Sequence, residues 1–118
     1  MIEQPFKVLV CGGREYNDRE HLFTLLDFYH KEFTFTHLIH GGAAGADTLA
    51  GEWADSRNIR KTVYKADWKK YGKAAGPIRN KHMAKQKPDL VIAFPGTQGT
   101  AHMINTAHKF GIPVEELS

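Results

Sequence analysis

The chain has 118 residues, of which 42% are hydrophobic and 25% are charged. This is the composition of an ordinary globular protein, which excludes disordered and fibrous classes, and the length leaves room for one domain (residues 1–118) with one core. The formal net charge of +3 is mildly basic, so it favours an anionic ligand but is weak evidence on its own for nucleic-acid binding.

Two further features bear on the compartment of the protein. The N-terminus lacks the basic and apolar blocks of a signal peptide, and no apolar run approaches the roughly 20 residues that cross a bilayer. We therefore expect a cytoplasmic protein without a membrane partner. The single cysteine, Cys11, ends an apolar run, so it is predicted to be a buried core residue rather than a catalytic thiol.

Short apolar runs closed by glycine or proline alternate with segments of helical period. The runs predict strands buried on both faces of a sheet. They cover residues 6–11, 36–40, 62–64 and 89–94, with a last one around Val114. The periodic segments predict helices over residues 18–31, 46–57, 75–87 and 100–110, the first capped by Asp18 or alternatively Asn17. The alternation predicts an α/β fold, a Rossmann-like three-layer sandwich with a mostly parallel sheet of about five strands.

Three glycine-bearing turns directly follow predicted strands. They are Gly12-Gly13-Arg14, the turn from Gly41 to Asp47, and the turn from Pro95 to Thr100. In a parallel sheet the carboxyl ends of the strands share one edge, and the helices that follow point their N-termini at it. The turns therefore predict a composite anion site, most naturally for phosphate. None matches the Walker-type loop or the dinucleotide fingerprint, which disfavours a Walker-type NTPase and a standard NAD site.

Polar side chains flank these turns. Arg14 is a candidate for neutralising a phosphate, with an exposed loop cation as the alternative. Asp47 either caps the second helix, which the sequence slightly favours, or binds ribose hydroxyls. Thr100 is placed to cap the last helix while presenting its hydroxyl and N–H to an anion. His40 ends a strand beside the second turn and is expected to face the site, whereas the histidines as a group show no metal-ligand spacing.

The segment 67–80 is predicted to be a long structured loop that carries cations and two aromatic residues. Trp68 either stacks on a base or packs against the domain. Arg79 and Asn80 are expected to begin a helix that points at the crevice, and Arg79 is favoured as a ligand-binding residue over a surface cation.

Five motifs together carry a resemblance to a known family. They are Gly12-Gly13-Arg14, Ile39 to Asp47, Ala66-Asp67-Trp68, Gly72 to Asn80, and Phe94 to Thr100. Over about Lys7 to Val114 the chain resembles the YspA-like, YpsA-related branch of the SLOG superfamily. The resemblance implies a Rossmann-like fold that binds nucleotides or nucleotide derivatives. Relatives include the Lonely Guy phosphoribohydrolases and the DNA-processing protein DprA, and some members of the branch belong to phages or mobile elements.

The resemblance also bears on catalysis. In the Lonely Guy enzymes an arginine precedes a P-G-G-x-G-T loop, and a glutamate shortly after the loop takes part in cleaving an N-glycosidic bond. Here Arg79 matches the arginine, and the turn from Pro95 to Thr100 matches the loop except for Thr97. His102 and Met103 stand where the glutamate is expected, so a hydrolase would need another carboxylate, for which the catalytic candidates are Asp47 and Asp67.

Three functions follow, in order of preference. The first is a nucleotide-binding or sensor domain. The second is a nucleotide N-glycosidase, with Glu15 and Asp18 as further candidate carboxylates. The third is a DprA-like nucleic-acid-binding module, which requires that the cations near Lys69, Lys70, Lys73, Lys81 and Lys85 form one stripe. No metal or cofactor is implied, and a homodimer or larger homo-oligomer remains an open alternative to a monomer. The candidate ligand-binding residues are Gly12, Gly13, Arg14, His40, Gly41, Gly42, Gly45, Asp47, Trp68, Arg79, Asn80, Pro95, Gly96, Gly99 and Thr100.

Overall fold

The computed structural model describes residues 4–118, which contain five strands: β1 (Lys7–Cys11), β2 (His37–His40), β3 (Arg60–Val63), β4 (Leu90–Ala93) and β5 (Val114–Glu116). Within this range the strands form one sheet in the order β3-β2-β1-β4-β5. Every neighbouring pair runs parallel. The prediction of a mostly parallel sheet of about five strands is confirmed.

The strands alternate with helices α1 (Arg19–Phe33), α2 (Ala46–Ser56), α3 (Trp68–Tyr71), α4 (Ala75–Lys85) and α5 (Gln98–Lys109). A 3₁₀ turn, Gly72–Ala74, joins α3 to α4. Helices α1 and α2 pack on one face of the sheet, and α4 and α5 pack on the other, which is the predicted Rossmann-like three-layer sandwich. No helix within residues 4–118 is long and apolar enough to cross a membrane.

The central strand β1 shows why strand positions that lie between two covered faces of the sheet are apolar. Successive side chains of a strand point to opposite faces of the sheet. Val8 and Val10 pack in the core beneath α1 and α2, whereas Leu9 and Cys11 pack in the core beneath α4 and α5. Because both faces are covered, the buried positions from Val8 to Cys11 need apolar residues, and only Lys7 at the half-buried start of the strand is charged.

The outer strand β3 begins earlier than the sequence indicates. Arg60 and Lys61 are exposed and lack an apolar pattern, yet they pair with His37 and Leu38 of β2. An edge strand has neighbours on one side only and tolerates charged residues. The predicted start at residue 62 was therefore too late.

Asp18 caps α1, as predicted. Its carboxylate accepts from the backbone N–H of His21 at 3.1 Å, one of the N–H groups that the first turn of a helix leaves without a partner. The helix ends at Thr34, whose φ of 55° is left-handed and whose N–H donates to the carbonyl oxygen of His30. Asp18, and not Asn17, is the cap.

The prediction of a long loop over residues 67–80 is wrong, because α3 and a 3₁₀ turn occupy residues 68–74 and α4 begins at Ala75, where the helix over residues 75–87 was predicted to begin. Asp67 begins α3 by accepting from the N–H of Lys70 at 3.1 Å, and Gly72 ends it with a φ of 55°. The indole of Trp68 packs over Gly76 at the start of α4. Arg79 therefore lies in the second turn of α4 and not at its beginning.

Candidate functional site

A cleft opens at the carboxyl edge of the sheet between β1 and β4. The chain runs from β1 to β2 and β3 on one side and returns to β4 and β5 on the other, so the loops after β1 and β4 diverge at this topological switch point. They still meet at their base, where the N–H of Gly13 donates to the carbonyl oxygen of Pro95 at 2.8 Å. The cleft has a volume of about 1100 Å³.

Most of the sequence-predicted site residues line this cleft. The three glycine-bearing turns and α4 contribute Gly12, Gly13, Arg14, Asp47, Trp68, Arg79, Asn80, Pro95, Gly96, Gly99 and Thr100. Sequence reasoning missed Tyr16, Lys73 and Met83 as lining residues. Tyr16 follows a Gly-Gly-Arg turn at a strand end, and that position could have singled it out. Its hydroxyl is buried and has no hydrogen-bond partner in the described part of the chain.

The N-terminus of α5 presents free hydrogen-bond donors to the cleft. Thr97 is the capping residue, and its side chain makes no capping hydrogen bond. The N–H groups of Gln98, Gly99 and Thr100 donate to no group within residues 4–118, as expected for the first turn of an uncapped helix. Thr100 is buried in that turn beside Gly96, so its predicted role as the cap is wrong. These donors and the helix dipole together favour an anion here.

In the second glycine turn, by contrast, three backbone N–H groups donate to side chains at the ends of the turn. The N–H groups of Gly41 and Ala43 donate to Oδ2 of Asp47 at 3.1 and 3.2 Å. The N–H of Gly42 donates to Nδ1 of His40 at 3.0 Å. The first three amides of this turn are therefore bonded within the turn itself and are not available to hold a phosphate.

Asp47 lies in the first turn of α2, where it was expected to be the cap, but the capping residue is Gly45. The carboxylate is buried, and burial raises its pKa to about 6 against the opposing effects of the Ala43 N–H, Arg79 and the Gly41 N–H. Oδ1 accepts from none of the described residues. Asp47 thus combines a structural role through Oδ2 with a free oxygen on a residue that lines the cleft.

Arg79 connects the second turn to the rest of the site. Its Nη1 donates to the carbonyl oxygen of Gly41, and its Nε donates to Oδ1 of Asn80 at 2.9 Å. Nδ2 of Asn80 in turn lies 3.1 Å from Nδ1 of His102. Burial lowers the pKa of Arg79, while Asp47 opposes that shift. These contacts hold the guanidinium at the cleft wall.

Arg14 and Trp68 form the outer wall of the cleft. The guanidinium carbon of Arg14 lies 5.5 Å from the centroid of the Trp68 ring, within range of a cation–π contact. Trp68 is 49% exposed, so a large part of the indole stays available to a ligand. Both residues also line a smaller adjoining cavity of about 260 Å³, to which Gly41 and Gly42 contribute.

Three predicted site residues lie outside both cavities. His40 does not face the cleft as expected; it is buried beneath α2 against Gly51. Burial, reinforced by Lys61, lowers its pKa to about 4. Gly45 packs against the backbone of Gly13 and Arg14. Asp67 caps α3 and is among the lining residues of neither cavity, which leaves Asp47 as the better placed of the two catalytic candidates.

Cys11 lines the inner end of the cleft but is buried in the core. Burial, reinforced by Asp47, raises the pKa of its thiol far above the usual range. A thiol in this state stays protonated and is a poor nucleophile. The position agrees with the predicted core role.

The strand order and the helices on both faces define a Rossmann-like α/β protein with a cleft at its topological switch point. The chain belongs to the YspA, cpYpsA-related SLOG family, whose model matches residues 6–71. Gene 61 protein of Mycobacterium phage D29 is 37% identical over an alignment 116 positions long, and the alignment covers 92% of this chain and 93% of that protein. Membership of this family supports a nucleotide-related binding or processing domain in general.

Solved structures confirm the fold. The C-terminal domain of a hydrogenase from Pyrococcus furiosus superposes with a TM-score of 0.59 at 14% identity, covering 99% of this chain and 96% of that one. A second crystal structure of that domain gives a TM-score of 0.58 at 13% identity, covering 98% and 93%. At this level of identity the likeness concerns the fold alone.

Proposed function

We propose that the cleft binds a nucleotide or a nucleotide derivative, with a phosphate at the N-terminus of α5. The observation that carries this proposal is the set of unpaired N–H groups at Gln98, Gly99 and Thr100, in a cleft that two arginine side chains, Arg14 and Arg79, also line. Amide donors, a helix dipole and guanidinium groups together are suited to a phosphate.

Other residues of the cleft suit the remainder of a nucleotide. Oδ1 of Asp47 is free to accept from a ribose hydroxyl, as carboxylates do in related folds. The half-exposed indole of Trp68 offers a flat apolar surface on which a base can stack. The phage relative favours a phage or mobile-element origin for the chain.

Replacing Arg14 by alanine tests the phosphate site. Arg14 is exposed and makes no hydrogen bond in the described structure, so its loss should leave the fold intact. We expect the affinity for nucleoside 5′-monophosphates to fall by about tenfold to a hundredfold, since a hydrogen bond to a charged group contributes about 1.5–3 kcal/mol. Isothermal titration calorimetry with AMP, GMP, CMP and UMP measures the loss, and the corresponding nucleosides should be unaffected by the substitution.

Arg60→Ala is the matched control, because Arg60 is exposed at the amino end of β3, on the opposite edge of the sheet. It removes the same charge and should change the affinity less than twofold. If neither the parent protein nor the control binds any of the four monophosphates, the proposal is wrong. Equal losses in Arg14→Ala and Arg60→Ala would show that only net charge matters.

Hydrolysis of the nucleotide's N-glycosidic bond is the second candidate function. It is favoured by one observation, that a buried carboxylate with a pKa of about 6, Asp47, lines the cleft, because such a group can accept or donate a proton near neutral pH. In this reaction water bonds to C1′ as the bond from C1′ to the base breaks, and the base leaves with a proton.

To test for hydrolysis, the protein is incubated with each of the four monophosphates, and chromatography measures the release of free base. We expect Asp47→Asn to lower a genuine hydrolase activity at least a hundredfold, whereas Asp67→Asn should retain it because Asp67 lies outside the cleft. Binding without base release, in the parent protein, would leave the nucleotide-binding proposal standing and reject the hydrolase.

A further inference from the structure

The two faces of the sheet carry opposite charge. On one face, α1 and α2 hold all the acidic residues of the helices, namely Glu20, Asp27, Glu32, Asp47, Glu52 and Asp55. On the other face, α3, α4 and α5 contain no Asp or Glu at all. The sequence has no acid between Asp67 and Asp89, or between Asp89 and Glu115. The small net charge of +3 is therefore unevenly distributed, and the layer formed by α3, α4 and α5 is strongly basic.

Within the described residues, ion pairing is confined to the acidic side of this division. The pairs within residues 4–118 are Arg19–Glu52, Arg57–Asp27 and Lys61–Asp55. Each one uses an acid of α1 or α2 and neutralises charge on or beside that face. The lysines of α3 and α4 have no acidic partner among the described residues, so their charges are open to an external anion.

Three lysines, two in α4 and one in the 3₁₀ turn before it, form a stripe that begins at the cleft. Lys73, Pro77, Lys81 and Lys85 follow one another at spacings of four and are all exposed, which places them along one side of the helix. Lys73 and Pro77 line the cleft. From there the stripe extends roughly 18 Å along the helix, a length that suits a chain of phosphates better than a single one.

Aromatic residues accompany the cations at the cleft end of this stripe. In α3, Trp68 and Tyr71 flank Lys69 and Lys70 and are 49% and 40% exposed. Grooves that bind single-stranded nucleic acid combine cations that follow the backbone with aromatic rings on which unpaired bases stack. In a duplex the bases are already stacked on each other, so such rings would have no partner.

We propose that the α3–α4 surface, defined by Trp68 to Tyr71 with Lys73, Lys81 and Lys85, binds single-stranded nucleic acid whose terminal nucleotide occupies the cleft. The inference rests on the proposed nucleotide site and specifies its ligand as the end of a strand. The cleft holds the terminal phosphate, Trp68 stacks the terminal base, Tyr71 stacks the next base, and the lysine stripe follows the backbone.

The test compares uridine 5′-monophosphate with a 5′-phosphorylated twelve-residue oligouridylate, whose terminal ribose keeps its 2′-hydroxyl, by calorimetry and fluorescence anisotropy on the full chain. The oligonucleotide should bind at least tenfold more tightly at low salt. With three lysine–phosphate contacts, its affinity should fall by about twentyfold between 50 and 200 mM salt.

The double variant Lys81→Gln/Lys85→Gln should lose most of the oligonucleotide's advantage and flatten its salt dependence, while leaving the monophosphate affinity unchanged because neither residue lines the cleft. The matched control is Lys31→Gln/Arg60→Gln, which removes the same charge away from the α3–α4 surface and should bind the oligonucleotide like the parent.

The outcomes separate this inference from the function on which it rests. If the monophosphate binds but the oligonucleotide binds no more tightly, or if both double variants weaken it equally, the strand-binding inference is wrong and the nucleotide site stands. Equal affinity for a duplex, for inorganic polyphosphate or for anionic phosphatidylserine vesicles would show a general polyanion surface and also overturn it. If neither uridine ligand nor any of the other three monophosphates binds, both proposals fail.

Discussion

Gly45→Ala is expected to destabilise the fold by more than about 2 kcal/mol. Gly45 has a φ of 80°, and residues other than glycine adopt such a positive φ only at a cost in free energy. A methyl group there would also collide with the carbonyl oxygens of Gly13 and Arg14, and backbone atoms cannot turn away. The first and second turns would have to separate, which would break the hydrogen bond from the Ala46 N–H to the Gly13 oxygen.

Gly111→Ala measures the cost of a positive φ without the collision. Gly111 has a φ of 72°, and no heavy atom lies within 4 Å of a Cβ added there, so the variant carries about 1–2 kcal/mol of backbone strain. Gly45 combines its positive φ with a ψ of −127°, so Gly45→Ala carries further backbone strain in addition to the collision. Urea denaturation followed by circular dichroism measures both variants. A loss for Gly45→Ala no greater than that for Gly111→Ala would mean that contact between the two turns contributes little. Nucleotide binding should weaken in Gly45→Ala only, since this contact supports the cleft.

The second large effect concerns pH, because His40 and Asp47 should shift stability in opposite directions over the same range. Burial, reinforced by Lys61 and Arg79 and opposed by Asp55, lowers the pKa of His40 from 6.5 to about 4. Burial raises the pKa of Asp47 from 3.8 to about 6, although the Arg79 and Arg14 charges oppose it. Each shift corresponds to about 3 kcal/mol.

The sign follows from which state binds more protons. Between pH 6.5 and 4 the unfolded chain protonates His40 while the folded chain does not, so this residue lowers stability as the pH falls. Between pH 6 and about 4 the folded chain protonates Asp47 while the unfolded chain does not, so this residue raises stability as the pH falls. In the parent protein the two contributions largely cancel.

Two substitutions should reveal the separate contributions. Asp47→Asn retains an oxygen that can accept from the Gly41 and Ala43 N–H groups, and it should lose stability steadily from pH 6.5 to 4. His40→Asn retains an acceptor for the Gly42 N–H, and it should gain stability from pH 6 to 4. Urea denaturation at half-unit pH steps gives the three curves, whose slopes are compared because all other groups contribute equally. Parallel curves would contradict the assigned roles.

Local sequence patterns were sufficient to predict most secondary structure. The four-residue strand β4 is apolar throughout, and its neighbour β1 is apolar from Val8 to Cys11, because both faces of the sheet are covered. Such runs are recognisable in isolation. The cap at Asp18 is equally local, since it depends on a carboxylate three residues before the N–H that it accepts from. Where a pattern was polar, as over residues 67–80, a capped helix followed by a 3₁₀ turn was mistaken for a loop.

The glycine turns mark the division between what the sequence determined and what only the tertiary structure decided. Their positions after strands were sufficient to predict that they meet at one edge of the sheet, because parallel strands impose that geometry. The sequence could not show which amides stay free. The donors of Gly41 and Ala43 are taken by Asp47, while those at the start of α5 have no partner in the described chain. Hydrogen-bond allocation of this kind depends on how a folded loop places its own side chains, which residue spacing alone does not specify.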